Sequence, residues 1–203
     1  MDTKKRTLLV KDLWQSAITT VKGCSAVQDF LRSEQFSSLT LSNCSYMIAM
    51  GKAAGSMAEG VLAEIGDKIQ QSLMITKYGH TPPSMASLPS LQILEAGHPV
   101  PDENSLLAGK KLLHFLKDIP PKGHLLFLMS GGTSSLVEVL PQGFSLQRLK
   151  ELTEELLASG QSIEQILQPY IPQYHQFTCL TKSYYRLKNN PETPPSTLRK
   201  LRL

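Results

Sequence analysis

Residues 46–56 read Tyr46-Met47-Ile48-Ala49-Met50-Gly51-Lys52-Ala53-Ala54-Gly55-Ser56. Tyr46 to Met50 is a short continuous apolar block, the pattern of a strand covered on both faces. Gly51 ends it, and from Lys52 the period changes. Ala53, Ala54, Met57, Ala58, Val61, Leu62 and Ile65 trace a helical face of mostly small residues that can sit close on a sheet, with Gly66 as its stop. A buried strand that runs straight into such a helix is the start of a parallel crossover.

The same alternation continues downstream. A second strand is expected at Ser72 to Thr76, a Pro-containing loop at Tyr78 to Ser84 and a third strand at Leu91 to Glu95. Asp102, with Ser105 three places on, reads as the N-cap of a helix carrying Leu106, Leu107, Leu112, Leu113 and Leu116, and Pro120-Pro121 closes it. Leu125 to Met129 is a fourth buried strand, Ser130 to Thr133 a small-residue turn, and Ser145 opens a helix running to about Ala158. Upstream, Leu9, Leu13, Trp14, Ala17, Ile18 and Val21 have amphipathic spacing, which predicts a packing helix over Leu8 to Leu31. The expected fold is α/β and Rossmann-like, a parallel-rich sheet with helices on both faces, whose sites collect at the carboxyl ends of the strands. From residue 169 on, the prolines Pro169, Pro172, Pro191, Pro194 and Pro195 interrupt any period, and a disordered or irregular C-terminal tail is expected.

Composition restricts the function classes. With 203 residues, 41% of them hydrophobic and 19% charged, the chain fits a globular protein of one ordinary domain with or without an appendage. No apolar run approaches the ~18–20 residues that cross a bilayer. The residues after Met1-Asp2-Thr3-Lys4-Lys5-Arg6 are too short an apolar block for a secretory signal, so a cytoplasmic protein is expected. The net charge of +4 is unevenly placed: residues 1–166 hold 15 Lys+Arg against 16 Asp+Glu, while residues 167–203 hold 6 against 1. Basicity confined to the tail argues against a nucleic-acid interface on the folded part. Tyr184-Tyr185-Arg186-Leu187-Lys188 interleaves aromatics with charges but is brief and Pro-bounded. Cys24, Cys44 and Cys179 lack paired spacing and read as reduced thiols. His80, His114, His124 and His175 have no metal-ligand spacing, and no metal site is expected.

Three strand-end loops carry candidate chemistry. Gly51-Lys52 opens a helix, where free N–H groups, a partial positive charge and the ammonium of Lys52 can receive an anion; a tight turn with a solvent-facing lysine explains the same spacing. It is not a Walker loop, since the GxxxxGK[ST] order is absent. Ser130-Gly131-Gly132-Thr133-Ser134-Ser135 combines two glycines with four hydroxyls and can cradle a phosphate or carboxylate, although a sharp turn alone would also use the glycines. In Glu95-Ala96-Gly97-His98-Pro99-Val100-Pro101-Asp102, His98 is held beside proline in a stiff loop, placed to bond a substrate oxygen or to move a proton, or satisfied by a neighbouring backbone group. Glu95 is either a partner behind that loop or a strand-end charge.

Taken together, residues 47–60 (MIAMGKAAGSMAEG), 93–113 (ILEAGHPVPDENSLLAGKKLL), 125–146 (LLFLMSGGTSSLVEVLPQGFSL) and 152–166 (LTEELLASGQSIEQI) resemble the N-terminal domain of the MOFRL-associated (DUF4147) glycerate kinases. The resemblance covers about residues 8–166, which defines an expected domain of that extent followed by a divergent, basic, Pro-containing tail over 167–203. It implies ATP-dependent phosphorylation of glycerate to 2-phosphoglycerate, with Mg2+ accompanying the nucleotide. It further implies that Lys52 is catalytic and that Gly51, His98, Ser130, Gly131, Gly132, Thr133, Ser134 and Ser135 bind substrate or phosphate. Where the family continues into an Asn, an Arg-bearing helix and a Lys-Gly-Gly segment, this chain has Leu167-Gln168-Pro169-Tyr170-Ile171-Pro172. A truncated chain lacking the family's second lobe, with turnover impaired, is therefore expected. Two other readings stay open. A hydroxypyruvate reductase, a label the family also carries, would need a nicotinamide site, yet no GxGxxG follows a strand. A non-catalytic binding remnant would bind ligand, or self-associate as a homo-oligomer through surface bared by the missing lobe, without turnover.

Overall fold

The computed structural model describes residues 2–37, 45–121, 123–140, 143–160 and 199–202. Four parallel strands build the sheet on which the candidate loops stand: β1 (Ser45–Met50), β2 (Ile69–Lys77), β3 (Leu91–Ala96) and β4 (His124–Met129). Their spatial order is β3-β2-β1-β4, and a short strand β5 (Arg199–Arg202) lies parallel to β4 at the far edge. The remainder of the tail, including His175 and Tyr184–Lys188, falls outside the described residues.

All six residues of β1 are buried, because β1 is central in the sheet and covered on both faces. Its pleat sends Met47 and Ala49 to one side and Ile48 and Met50 to the other. On the first side, helices α2 (Gly23–Arg32) and α4 (Ala54–Ile65) contribute Val27, Leu31, Met57, Ala58 and Val61. On the second, α5 (Glu103–Asp118) and the one-turn α6 (Thr133–Leu136) contribute Leu112, Phe115 and Leu136. The α/β class with helices on both faces is thus the observed architecture.

The small residues of α4 have the packing purpose their pattern suggests. A β-carbon on Gly60 would come 2.7 Å from the carbonyl oxygen of Cys24, so α2 and α4 approach almost backbone to backbone. Asp102 caps α5 as expected, and the box is reciprocal: its carboxylate accepts from the Ser105 N–H while the Ser105 hydroxyl accepts from the Asp102 N–H. Ser145 likewise caps α7 (Leu146–Ser159), which buries Leu149 and Leu152.

The N-terminal region departs from the sequence expectation. The single packing helix over Leu8 to Leu31 is two helices, α1 (Thr3–Thr20) and α2, separated at Val21 and Lys22, and a one-turn α3 (Glu34–Ser37) follows them. α1 buries none of its residues, and Trp14 is 69% exposed. Leu8, Leu9 and Val10 are consecutive, so steps of about 100° spread them around the helix, and no single stripe is left to bury. Val27 and Leu31 stand four apart on one face and do enter the core. No helix among the described residues is long and apolar enough to cross a membrane. Cys24 is a free thiol, whereas Cys44 and Cys179 lie outside the described residues.

Candidate active-site cleft

Because β2 and β4 flank β1 on opposite sides, the chain reverses its direction of travel across the sheet between β1 and β4. Loops leaving the carboxyl ends of two such strands diverge and open a crevice between them. Here those loops are Gly51–Ala53 and Ser130–Gly132, two of the three stretches singled out in the sequence.

The two loops are stitched together. The Lys52 N–H donates to the Gly131 carbonyl at 2.9 Å, and the Ala53 N–H donates to Ser130 Oγ at 3.0 Å. The Ser130 hydroxyl in turn donates to the Met50 carbonyl at 3.2 Å. Gly51 sits at φ +113°, and a β-carbon there would lie 2.3 Å from Ser130 Oγ, so both conformation and space require glycine. Thr76 Oγ1, from the end of β2, donates to the Gly51 carbonyl at 3.1 Å and fixes the turn from the other side.

The third loop joins them at Gly132. This residue has φ +91°, and a β-carbon on it would meet His98 Nε2 at 2.8 Å and Lys52 Cγ at 3.0 Å. Lys52, His98 and the Gly-Gly turn, drawn from three separate parts of the sequence, are therefore neighbours. The His98–Pro99 peptide bond is cis. Partial burial of His98, then the positive charges of Lys52 and Lys77, hold its imidazole below the ordinary histidine range, so it is largely neutral at pH 7. The backbone N–H groups of Gly131 and Gly132 have no acceptor among the described residues.

Behind this cleft a polar network fixes the loops. The Glu95 carboxylate accepts from the N–H groups of Gly79 and Thr81, each at 3.1 Å, and from Thr81 Oγ1 at 2.6 Å. The Thr81 hydroxyl, with backbone donors adding to it against the effect of burial, lowers the Glu95 pKa. Glu95 is thus a clamp on the loop after β2 rather than a free strand-end charge. Asn104 Nδ2 donates to the Glu95 carbonyl and to Tyr78 Oη, and Tyr78 Oη donates to Asp102 at 2.6 Å. Burial alone would raise the Asp102 pKa, but bonds from Tyr78, Gly97 and Ser105 outweigh it and the net direction is down.

The hydroxyls of the Ser130–Ser135 loop are mostly engaged in holding the turn. Thr133 Oγ1 donates to the Ser130 carbonyl at 2.9 Å, and Ser135 Oγ donates to the Gly132 carbonyl at 3.2 Å. Ser134 is exposed. Two further residues escape sequence reading. Lys77 is the last residue of β2, one place beyond the expected strand end, and the strand-end rule was the signal that could have found it. Glu138 is 4% exposed, and burial pushes its carboxyl up to about 8. A lone Glu in Leu136-Val137-Glu138-Val139 gives no hint of that burial. Among the described residues, no group of three His, Cys, Asp or Glu side chains converges as metal ligands.

The chain is similar in sequence and in fold to known proteins. The D-glycerate 2-kinase of Thermotoga maritima is 42% identical over 120 residues, which are 59% of this chain and 28% of that protein. The glycerate 2-kinase of Pyrococcus horikoshii is 40% identical over 121 residues, 60% of this chain and 26% of that one. The chain therefore spans little more than a quarter of these curated relatives. The crystal structure of glycerate kinase from Thermotoga maritima matches with a TM-score of 0.67 and 36% identity, over 80% of this chain and 37% of that chain. The sequence model of a family described as a domain of unknown function, DUF4147, matches residues 9–167, most of the length and every loop of the cleft, and the chain belongs to that family.

Proposed function

We propose that this domain supplies the cleft in which a glycerate 2-kinase holds glycerate and the phosphoryl group it receives from ATP. The observation that carries the reading is the contact of the Gly132 backbone with both Lys52 and His98. Phosphoryl transfer asks chiefly for positioning and for neutralisation of charge. Lys52 provides a full positive charge on a backbone fixed by its N–H bond to Gly131. Gly131 and Gly132 offer N–H donors from a turn where the absence of side chains lets an anion approach closely. His98, largely neutral, accepts or donates a hydrogen bond at a substrate hydroxyl or carboxylate, and so orients glycerate without adding another fixed charge.

ATP supplies the transferred phosphoryl group, and the donors present suit its anionic end. Magnesium would accompany the nucleotide, commonly held by substrate phosphates with one or two carboxylates rather than by an all-protein cage. The domain of residues 8–166 is the functional unit in this reading, and the relatives' additional length contributes the facing wall.

The deciding assay is ATP-dependent phosphorylation of D-glycerate by the 203-residue chain beside its Lys52→Ala variant. Turnover that falls at least about 100-fold in the variant supports Lys52 in the reaction. Unchanged kinetics remove Lys52 from the mechanism. Glycerate binding without turnover assigns the chain to the binding half of the reaction alone.

A further inference from the structure

We propose that Lys77 is a second cationic ligand of the cleft, so that the site takes a molecule bearing two separate anionic groups, of the phosphorylated hydroxy-acid class. The inference rests on the reading of the cleft as a phosphoryl-acceptor site and adds a subsite to it.

Position is the first support. Lys77 ends β2 in register with Ala96, the last residue of β3, from which the chain continues through Gly97 to His98. The pleat places Lys77 on the face of Leu73 and Ile75, the face covered by α5 and α6. α6 lies across β2 and β3 and begins immediately after Gly132. Lys77 therefore rises on the same side of the sheet as the Gly-Gly turn and the imidazole it contacts. Its backbone is held at the base of a fixed turn: the Lys77 carbonyl accepts from the His80 N–H at 3.1 Å, and Glu95 clamps the two residues flanking His80.

Charge is the second. Among the described residues, neither Lys52 nor Lys77 forms an ion pair with a carboxylate. The nearby acids are engaged elsewhere, Glu95 with Gly79 and Thr81, and Asp102 with Tyr78 and Ser105. The charges of both lysines thus act on one imidazole, and among the described residues neither is ion-paired. One anion at the Gly-Gly turn would answer Lys52; a second anionic group on the same ligand answers Lys77. A 2-phospho-hydroxy acid has that pairing, phosphoryl toward Lys52 and Gly131–Gly132, carboxylate toward Lys77.

The test is calorimetric titration of the 203-residue chain with 2-phosphoglycerate and, separately, with inorganic phosphate. Lys77→Met should weaken 2-phosphoglycerate about tenfold or more while changing phosphate less than about threefold, Lys77→Arg should restore most of the affinity, and Lys52→Met should weaken both probes. NMR titration of His98 provides the check on folding and placement: removal of the Lys77 charge should raise the pH midpoint of His98 in the ligand-free variant. Lys77→Met binding both probes as the wild type does, or losing both equally, overturns the second subsite while leaving the kinase reading intact. Wild-type binding of both probes by Lys52→Met, with Lys77→Met still selective against 2-phosphoglycerate, overturns the reading of the Lys52 cleft as the phosphoryl site and leaves the Lys77 subsite standing. A folded wild-type chain that binds neither probe overturns both.

Discussion

The backbone of Gly132 lies against the imidazole of His98 so closely that a single added β-carbon would come 2.8 Å from Nε2. Gly132 is also at φ +91°. Gly132→Ala is therefore expected to act twice, costing about 1–2 kcal/mol for the left-handed backbone and displacing His98 or the turn. Thermal unfolding with phosphate titration checks this, and a variant with wild-type melting temperature and affinity would show that the contact is not maintained in solution.

Ser130→Ala removes the acceptor of the Ala53 N–H and the donor to the Met50 carbonyl. An expected loss of about 1–3 kcal/mol follows from leaving a part-buried donor unpaired. Amide exchange at Ala53 should accelerate in the variant; exchange at the wild-type rate contradicts the bond.

Glu95→Ala should free the loop after β2. With its pKa lowered in the folded state, the Glu95 carboxylate contributes stability that is present above about pH 4.5 and is lost as pH falls through the folded value. The variant should be less stable at neutral pH by about 1.5–3 kcal/mol, with a smaller difference in acid, and the Gly79 and Thr81 amides should exchange faster. Equal stability at pH 7 would argue against the clamp.

Glu138 predicts the opposite pH dependence. Its folded pKa of about 8 exceeds the ordinary 4.5. Between those values the folded chain holds a proton that the unfolded chain has released, so stability declines as pH rises through this window. The decline approaches about 1.4 kcal/mol per pH unit. Glu138→Gln should remove this slope, and denaturant unfolding at pH 5 and pH 8 measures it. A variant whose stability falls between those pH values as steeply as the wild type's places the source of the slope elsewhere.

Most of the sheet was legible because buried parallel strands are continuous apolar runs, and Met47–Met50, Leu73–Ile75 and Leu125–Met129 are such runs. The three loops were legible for a related reason: glycines at strand ends mark where the backbone must turn, and Gly51 and Gly132 both have positive φ. Less visible was which loops would meet, since the contact of Gly132 with His98 and Lys52 depends on strand order and not on local pattern. Lys77 went unseen because a strand-end lysine looks like any solvated one until the neighbouring strand is known. α1 misled by spacing alone: Leu9, Leu13 and Ile18 suggest a face, but Leu8 and Val10 spoil it.

The placement of β1 between β2 and β4 also sets the order in which the protein can become competent. Lys52 emerges early in the chain, yet the bond from Ala53 to Ser130 joins partners 77 residues apart, and β4 must enter the sheet before it forms. Long closures of this kind are slow relative to local hairpins and helices. A nascent chain ending before β4 has Lys52 and His98 but no turn between them. The proposed anion affinity would thus arrive with β4, and a ligand of the cleft would stabilise only chains that have paired that strand.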